Sequence, residues 1–420
     1  MGNMLLRGCF IVFLFVAVSQ FSLAGTLCVN QGGMSGCYST ISAAVAAATD
    51  HSTIRVAPGT YAEQVQIGKP LSLIGDNQNN TIIDATGLPN GVNVDGLDHP
   101  GLRAVVVSGF TIKNANFEGV LITNAADVTV WGNKVTHNDR SLSFGSEGPS
   151  CPGIPNFETA EGFDCGEGVH LSGVEHSIVA NNQVFGNSGG ILLSDDTGAT
   201  HHILVSGNIV TENPFDCGIT LASHPPAMQT GAMAPLGVFD NTISGNESSR
   251  NGLAVGEGAG VGIFDSVPGA KNYGNVVIEN KLTNNGLPGV ALHSHTPGQN
   301  LNNNSIIANQ ISGNHADTDD AATPGSTGIN IFGVSPILGT IISQNVIKDE
   351  AVDVAVNTPS IVAVHLNNLL GKMIGLANLG AGSINATQNW WGCSMGPGSP
   401  GCSHASGSNV MVQPWLNKPF

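Results

Sequence analysis

The chain has 420 residues, of which 56 are glycine, 5% are aromatic and 10% are charged. Low charge together with abundant Gly, Asn, Val and Ile excludes intrinsic disorder, disfavours a helical fold and is typical of a long β structure with many turns. The 13 Lys and Arg residues against 30 Asp and Glu residues argue against nucleic acid as a partner, because phosphate binding needs clustered cations.

The N-terminus has the pattern of a secretory signal peptide. Arg7 precedes an apolar run from Cys9 to Val18, and Ser22 to Ala24 supplies small residues at the positions that a signal peptidase reads. We therefore assign residues 1–24 to a signal peptide and expect the mature chain to be secreted, to the periplasm or the extracellular space. No later segment is apolar enough to cross a bilayer, so no membrane partner is expected.

Cysteine spacing predicts three local disulfides. Seven cysteines remain once Cys9 leaves with the signal peptide, and six of them fall into pairs that are close in sequence. In an exported protein, such pairs favour disulfide bonds. Cys217 is left as a free thiol, and the predicted bridges are Cys28–Cys37, Cys151–Cys165 and Cys393–Cys402.

One early segment departs from the β pattern. Tyr38 to Thr49, with the sequence YSTISAAVAAAT, is predicted to form a helix. We place it within an N-terminal cap, residues 25–53, where it would cover the open end of a stack of β coils.

Two short units recur along the rest of the chain. The first is an Asn, an aliphatic residue two positions later, and a second Asn five positions after the first, as in NKVTHN at 133–138 and NTISGN at 241–246. An Asn that recurs at one turn position can stack as a hydrogen-bonded ladder. The aliphatic residues of the six copies are predicted to form one buried stack: Val135, Val184, Val210, Ile243, Leu282 and Ile311.

The second unit is a Gly, a β-branched residue, any residue and an aliphatic residue, as in GVHL at Gly168 and GITL at Gly218. Period-two strands that alternate with Gly and Asn turns, repeated many times, predict a solenoid of β coils. We expect an all-β fold, a parallel β-helix of about ten or more coils over residues 54–387. A C-terminal cap or tail, residues 388–420, is expected to follow.

These units resemble a known family. The segment IRVAPGTYAEQVQIGKPLSLIGD, from Ile54 to Asp76, resembles the opening coils of pectin methylesterases and related carbohydrate-active proteins. The Asn and Gly coils resemble carbohydrate-binding and sugar-hydrolase repeats, which also occur in a periplasmic copper-site assembly protein. The chain is therefore similar to the single-stranded right-handed parallel β-helices of the pectin-lyase-like superfamily, and the resemblance implies a polysaccharide or glycan as partner.

The connections between the units vary in length along the stack. From the strand Gly to the next ladder Asn there are 14 residues at Gly119 to Asn133 and 23 residues at Gly218 to Asn241. The opposite connection is long at Asn138 to Gly168. Binding loops on a solenoid lengthen in this way, so the middle coils are predicted to carry a groove.

Titratable residues follow the strands of these middle coils. GILL ends in the adjacent carboxylates Asp195 and Asp196, and equal positions on parallel coils lie about 4.8 Å apart. The predicted columns are therefore Asp195, Ser223, Asp265, Ser294 and Asp196, His224, Ser266, His295. Because converging carboxylates and imidazoles suit general acid–base chemistry, the predicted catalytic residues are Asp195, Asp196, His224 and His295.

Further side chains of the same coils are predicted to bind the substrate or a metal ion. Glu167 and Asp216, together with Asp195 and Asp196, offer oxygen ligands of the kind that Ca²⁺ prefers, so Ca²⁺ is the cofactor that the sequence suggests. The predicted substrate-binding residues are His170, His202, Phe264, Asp265, His293 and Phe332.

Three functions remain open from the sequence. The favoured one is a polysaccharide hydrolase or lyase, and the second is a surface structural or glycan-binding protein without turnover. The third is a copper accessory protein, for which imidazole and thioether ligands are suited. Its candidate ligands are His201, His202, His224, Met228, Met233, His293 and His295.

Overall fold

The computed structural model of the protein describes residues 24–146, 148–158, 165–224 and 235–420. The backbone winds through successive coils, and the strands of these coils stack into three long parallel sheets. The predicted parallel β-helix is confirmed, because neighbouring strands in each sheet come from successive coils. The predicted signal peptide, apart from Ala24, lies outside the described residues.

The three sheets differ in their number of strands. The 14 strands of sheet 1 are Thr26–Val29, Ser52–Val56, Leu71–Gly75, Val106–Ser108, Thr129–Trp131, Ile178–Ala180, Leu204–Ser206, Thr242–Ser244, Val276–Ile278, Ser305–Ile307, Ile341–Ser343, Ile361–His365, Ser383–Asn385 and Val410–Met411. The 12 strands of sheet 2 are Val65–Ile67, Asn90–Asp95, Glu118–Thr123, Val169–Ser172, Ile191–Ser194, Ile219–Ser223, Val261–Asp265, Val290–Ser294, Thr327–Gly333, Val352–Asn357, Ile374–Asn378 and His404–Ser406. The 11 strands of sheet 3 are Gly59–Tyr61, Thr81–Asp84, Thr111–Lys113, Lys134–Thr136, Gln183–Phe185, Ile209–Thr211, Glu247–Ser249, Lys281–Thr283, Gln310–Ser312, Val346–Lys348 and Asn368–Leu370.

Each coil visits the sheets in the same order. One coil contributes Glu118–Thr123 to sheet 2, then Thr129–Trp131 to sheet 1 and Lys134–Thr136 to sheet 3. The units that begin with Gly are thus the strands of sheet 2. Side chains alternate along a strand, so that Leu193 joins the aliphatic core while Ser194 points to the outer face of sheet 2.

The aliphatic stack inside sheet 3 differs from the predicted one at a single position. Val210 pairs with Ser248, and Ser248 pairs with Leu282. Ile243 lies in sheet 1 instead, where it pairs with Val205. The prediction for Ile243 is therefore wrong, while the other five residues occupy the expected stack.

Overlapping asparagine repeats explain this difference. Asparagines recur every five residues in this coil, at Asn241, Asn246 and Asn251, so two Asn-flanked units overlap. Asn246 is the one that stacks on Asn208, because its Oδ1 accepts hydrogen bonds from the backbone N and the Nδ2 of Asn208 at 2.9 and 3.0 Å. The connection that begins at Gly218 is therefore five residues longer than the sequence pattern indicated.

Two asparagine ladders run along the corners of sheet 3. In each step, Oδ1 of one Asn accepts hydrogen bonds from the backbone and side chain of the Asn in the preceding coil. The first ladder consists of Asn133, Asn182, Asn208, Asn246, Asn280, Asn309, Asn345, Asn367 and Asn389. The second consists of Asn138, Asn187, Asn213, Asn251, Asn285, Asn314 and finally Glu350.

Short elements complete both ends of the stack. The helix is shorter than predicted and spans Ile41–Ala47, after a 3-10 turn at Met34–Gly36. The Thr40 side chain caps the helix by accepting a hydrogen bond from the backbone N of Ala43. At both ends the sheets continue past residues 54–387, since Thr26–Val29 and His404–Ser406 pair with their neighbours.

The three predicted disulfides are confirmed, and Cys217 is a buried free thiol. Two small sheets decorate the connections: Ser143–Gly145 pairs with Gly148–Ser150, and Thr200–His201 pairs with Val238–Phe239. Within the ranges that the structure describes, no helix combines the length and the apolar character that a membrane span needs.

Candidate functional site

Connections border the outer face of sheet 2 on both sides, and we refer to this bordered strip as the groove and to the sheet face as its floor. Two kinds of connection border this face, one leading from sheet 2 to sheet 1 and the other from sheet 3 to sheet 2. Side chains from both kinds reach the floor, as Asp196 and Asp317 do when they approach His170 and His293. The chain thus places its longest connections along both sides of one sheet face, as the loop lengths predicted.

Asp196 and His224 form a buried pair at one end of this groove. The predicted registration of their coils is confirmed, because Ser194 pairs with Ala222 and the chain continues from there to Asp196 and His224. His224 Nδ1 lies 3.0 Å from Asp196 Oδ1, while Ser194 Oγ donates to Asp196 Oδ2 at 2.8 Å. One carboxylate thus fixes the imidazole through Nδ1 and turns Nε2 away from it.

Asp195 contacts the backbone of His224, whereas Asp196 contacts its imidazole. Its carboxylate accepts hydrogen bonds from the His224 backbone N at 2.9 Å, the Ser223 hydroxyl at 3.0 Å and the Gly237 backbone N at 2.6 Å. Burial raises the pKa of Asp195, although these donors and His224 oppose the shift. Asp195 therefore anchors the backbone that carries His224.

His170 extends the pair into a chain of titratable groups. His170 Nε2 lies 2.8 Å from Ser194 Oγ and 3.8 Å from Asp196 Oδ2, and its Nδ1 lies 3.8 Å from Glu118 Oε1. Ligand atoms of Glu118, Glu158 and His170 lie within 4.8 Å of one another. Burial, and then the charge of Asp196, raises the pKa of Glu158 to about 8, so this carboxyl carries a proton at neutral pH.

Sequence reasoning missed Glu118 and Glu158. Glu118 precedes Gly119 at the start of its strand, a position that the column comparison did not cover. Glu158 belongs to the long connection that carries the bridged Cys151 and Cys165. The length of that connection was the only signal in the sequence that pointed to it.

His293 and His295 form a second cluster further along the groove. His293 Nε2 lies 2.8 Å from Asp317 Oδ2, and Asp319 Oδ2 lies 3.6 Å from His293 Nδ1 and 3.7 Å from His295 Nε2. His295 is one coil beyond Asp265 and two coils beyond His224, which corresponds to about 10 Å. The structure therefore separates His295 from the other three predicted catalytic residues and pairs it with Asp319, which sequence reasoning missed.

Aromatic residues line the floor at this cluster. Phe264, His293 and Phe332 occupy one outward column of sheet 2, with ring centroids 5.1 and 5.6 Å apart. His295 lies beside both phenylalanines. These four predicted substrate-contacting or catalytic side chains are therefore brought together.

Two predicted substrate-binding residues lie outside the groove floor. Asp265 is fully buried, because Phe264 takes the outward position and strand alternation turns the next side chain inward. Burial, and then the charge of Asp195, raises the pKa of Asp265 to about 8. His202 follows Thr200–His201 in a left-handed turn (φ 56°) near sheet 1, where its Nδ1 lies 2.8 Å from His201 Nδ1.

The predicted Ca²⁺ ligands do not converge. Glu167 lies before the sheet 2 strand of its coil, and Asp216 precedes the equivalent strand two coils on and accepts a hydrogen bond from the Cys217 backbone N. Asp195 and Asp196 follow the strand Ile191–Ser194, so about 20 Å of extended chain separates the two pairs. A site built from all four is therefore wrong, since strand length keeps the two ends of sheet 2 apart.

Three other groups of side chains have the spacing to hold a metal ion. They are Glu118, Glu158 and His170; His293, His295 and Asp319; and His176, His201 and His202. Of the copper ligands considered from the sequence, His201 and His202 fall in one of these groups and His293 and His295 in another. His224 belongs to none of the three groups, and Met228 and Met233 lie outside the described residues. A single site from all of those ligands is therefore not formed by the described residues.

The buried groups predict how stability depends on pH. In the folded protein the pKa is about 8 for Glu158 and for Asp265, and hydrogen bonds to Asp317 and Asp319 overcome the effect of burial to give His293 a pKa of about 9. All three values lie above those of the unfolded chain, so the folded protein binds more protons. Their contribution to the free energy of unfolding is fully present at pH values below the pKa values of the unfolded chain. It is lost as the pH rises through the pKa values of the folded protein.

We therefore expect the free energy of unfolding to fall between pH 5 and 9. Asp265→Asn should reduce the slope between pH 5 and 7 by about 1.4 kcal/mol per pH unit, the effect of one proton. Asp349→Asn, at an exposed left-handed position, should leave the slope unchanged. Urea unfolding at several pH values measures this, and an Asp265→Asn slope equal to that of the wild type would contradict the assignment.

Comparison with known proteins identifies the fold. Residues 73–267 match the family described as the right handed beta helix region. The chain therefore has the fold of a right-handed parallel β-helix, as the sequence resemblance indicated. A search of the curated proteins finds no match.

Three solved structures illustrate the likeness. They are the Dettilon tailspike protein gp208 (TM-score 0.55, 11% identity, 86% of this chain and 62% of that chain), the DFA-IIIase from Arthrobacter chlorophenolicus A6 without its lid (0.55, 12%, 87% and 89%) and a polygalacturonase from Erwinia carotovora (0.50, 12%, 94% and 95%). The chain thus spans less than two thirds of the tailspike. At these identities the likeness concerns the fold.

Proposed function

We propose that this protein is an exported glycoside hydrolase that cleaves a polysaccharide in the groove on sheet 2. The observation that carries the proposal is the convergence of Glu158, His170, Asp196 and His224, which come from four different coils, at one end of that groove. Hydrolysis of a glycosidic bond needs one group that carries a proton and another that has lost its proton at the same pH, so the pKa values of the two groups must differ. The fold shared with a polygalacturonase supports a glycan substrate.

The roles follow from protonation and contacts. Glu158 holds a proton at neutral pH and donates it to the leaving glycosidic oxygen as the bond between that oxygen and C1 breaks. Asp196 orients His224, whose Nε2 removes a proton from the water that attacks C1. The water oxygen forms the new bond to C1. Asp195 then has a positioning role, because its oxygens already accept three hydrogen bonds from the His224 segment and its neighbours.

The charges of the site favour hydrolysis over elimination. A lyase that acts on uronic acids needs a cation to neutralise the substrate carboxylate. In the described parts of the chain, the ion pairs of Lys and Arg side chains are made with carboxylates that do not belong to the proposed site, namely Asp84, Asp127, Glu212 and Glu247. With a net charge of −17, the protein is suited to a neutral polysaccharide.

Export rests on the N-terminal pattern and on the cysteines. Three disulfides are typical of proteins that fold in an oxidising compartment. A polysaccharide outside the cytoplasm would then be the accessible substrate.

The test is a panel of neutral and acidic polysaccharides incubated with the purified protein, with and without Ca²⁺. We expect reducing ends from a neutral polysaccharide, no unsaturated products and no requirement for Ca²⁺. Glu158→Gln should lower the turnover number by about 100-fold or more, and Glu279→Gln, at an exposed left-handed turn, should not. Unsaturated products would show a lyase, and binding without products would show a glycan-binding protein; either result would overturn the proposal.

A further inference from the structure

Three histidines meet on a different surface of the β-helix from the groove. His176 lies in one coil, and His201 and His202 lie in the next. Glu175 pairs with His201 across the two coils, and the His176 backbone N donates to the His201 carbonyl, so the coils stack in register here. The cluster lies just before the sheet 1 strands Ile178–Ala180 and Leu204–Ser206.

The backbone brings these side chains together. His176 (φ 50°) and His202 (φ 56°) occupy the same left-handed turn position in successive coils, where Asp127 and Asp240 stand in the coils on either side. Stacked residues on neighbouring coils are about 4.8 Å apart. Left-handed backbone is uncommon for His, and here it places two imidazoles in one column beside His201.

The rings are close enough to share one ion. Ring centroids are separated by 4.9 Å between His176 and His202, 5.0 Å between His201 and His202, and 6.0 Å between His176 and His201. One ligand nitrogen from each ring lies within 4.8 Å of the others. Nitrogens bound to a tetrahedral ion at about 2.0 Å are roughly 3.3 Å apart, so small rotations of exposed side chains close the site.

The surroundings favour a cation and hold one ligand in place. Glu175 Oε2 lies 3.6 Å from His201 Nε2, and Asp240 occupies the same turn column as His202, so two carboxylates flank the cluster. His201 stacks on Phe239 at 4.9 Å, and Phe239 stacks on Tyr273 at 5.0 Å. This ladder of rings fixes the His201 imidazole, as supporting contacts do for metal ligands.

We propose that His176, His201 and His202 bind one divalent transition-metal ion, such as Cu²⁺ or Zn²⁺, on the surface before sheet 1. Three imidazoles select ions of this type over Ca²⁺ and Mg²⁺, which prefer oxygen ligands. Glu175 or a water molecule completes the coordination. The site is separate from the groove and does not depend on the proposed hydrolase activity.

The test is equilibrium binding of Cu²⁺ and of Zn²⁺ to the full chain after treatment with EDTA. We expect one saturable site, and electron paramagnetic resonance of the Cu²⁺ complex should show coordination by imidazole nitrogens. His176→Asn and His202→Asn should each weaken binding by at least about 10-fold, since even the loss of an outer partner costs this much. Asn is chosen because it tolerates the left-handed backbone of both positions.

Two matched variants control the experiment. His137→Asn replaces another exposed left-handed histidine (φ 60°), which bonds to its neighbour Thr136, and should leave metal binding unchanged. His295→Asn changes the histidine cluster of the groove and should also bind like the wild type. The proposal is overturned if the wild type shows no saturable site, if His176→Asn and His202→Asn bind like the wild type, or if His295→Asn abolishes binding.

Discussion

Asp196→Asn is expected to lower the turnover number of the proposed hydrolysis by about 10²- to 10⁴-fold. The amide has nearly the same size as the carboxylate, but it cannot hold a positive charge on His224, whose Nδ1 lies 3.0 Å away. It also weakens the hydrogen bond from Ser194, which links Asp196 to His170. The loss should fall on kcat, with KM within about threefold of the wild type, because Asp196 acts on His224 and not on the sugar.

The control for this variant is Asp349→Asn, which removes one exposed carboxylate several coils away from Asp196. Its kcat should equal that of the wild type. The melting temperature of Asp196→Asn should not fall by more than about 2 °C, because the amide fills the same space and its Oδ1 can still accept a hydrogen bond from His224 Nδ1. Wild-type kcat in Asp196→Asn would show that the Asp196–His224 pair has no part in the reaction.

Asn208→Ala is expected to destabilise the protein by about 3–5 kcal/mol. Asn208 Oδ1 accepts two hydrogen bonds from Asn182, and its Nδ2 donates to the Val179 carbonyl at 2.8 Å and to Asn246 Oδ1 at 3.0 Å. Alanine removes all four bonds and leaves their partners inside a fully buried corner. Each buried polar group without a partner costs about 1–3 kcal/mol.

Asn79→Ala is the matched control, because Asn79 is an exposed turn residue outside the ladders. It should change the free energy of unfolding by less than about 0.5 kcal/mol. Urea unfolding monitored by circular dichroism measures both variants. A cost below about 1 kcal/mol for Asn208→Ala would mean that the ladder adds little to the stability of the stack.

Most of the fold follows from the sequence because a β-helix is a local, repeating structure. The middle strands of sheet 2 begin near a recognisable Gly, so the spacing of Gly260 and Gly289 already predicts that Phe264 stacks on His293. The pattern failed where two units overlapped, at Asn241 and Asn246. The hydrogen bond to Asn208 identifies Asn246 as the residue that continues the ladder.

The candidate site was less accessible to sequence reasoning. The columns correctly placed Asp196 beside His224, because both directly follow aligned strands. Long connections have no such register, so the approach of Glu158 to His170 could not be derived from the repeat. The repeat also does not predict where side chains on left-handed turns point. His202 occupies such a turn and lies beside His176 instead of in the groove.

The most direct test of the proposed groove is a crystal structure of Asp196→Asn with an oligosaccharide of the polysaccharide that the wild type cleaves. The variant is expected to bind the oligosaccharide without turning it over. We expect the sugar chain to lie along the outer face of sheet 2, with a glycosidic oxygen within hydrogen-bond distance of Glu158 and His224 Nε2 facing the adjacent C1. A sugar bound on another surface, or on this face but away from Glu158 and His224, would contradict the proposed site.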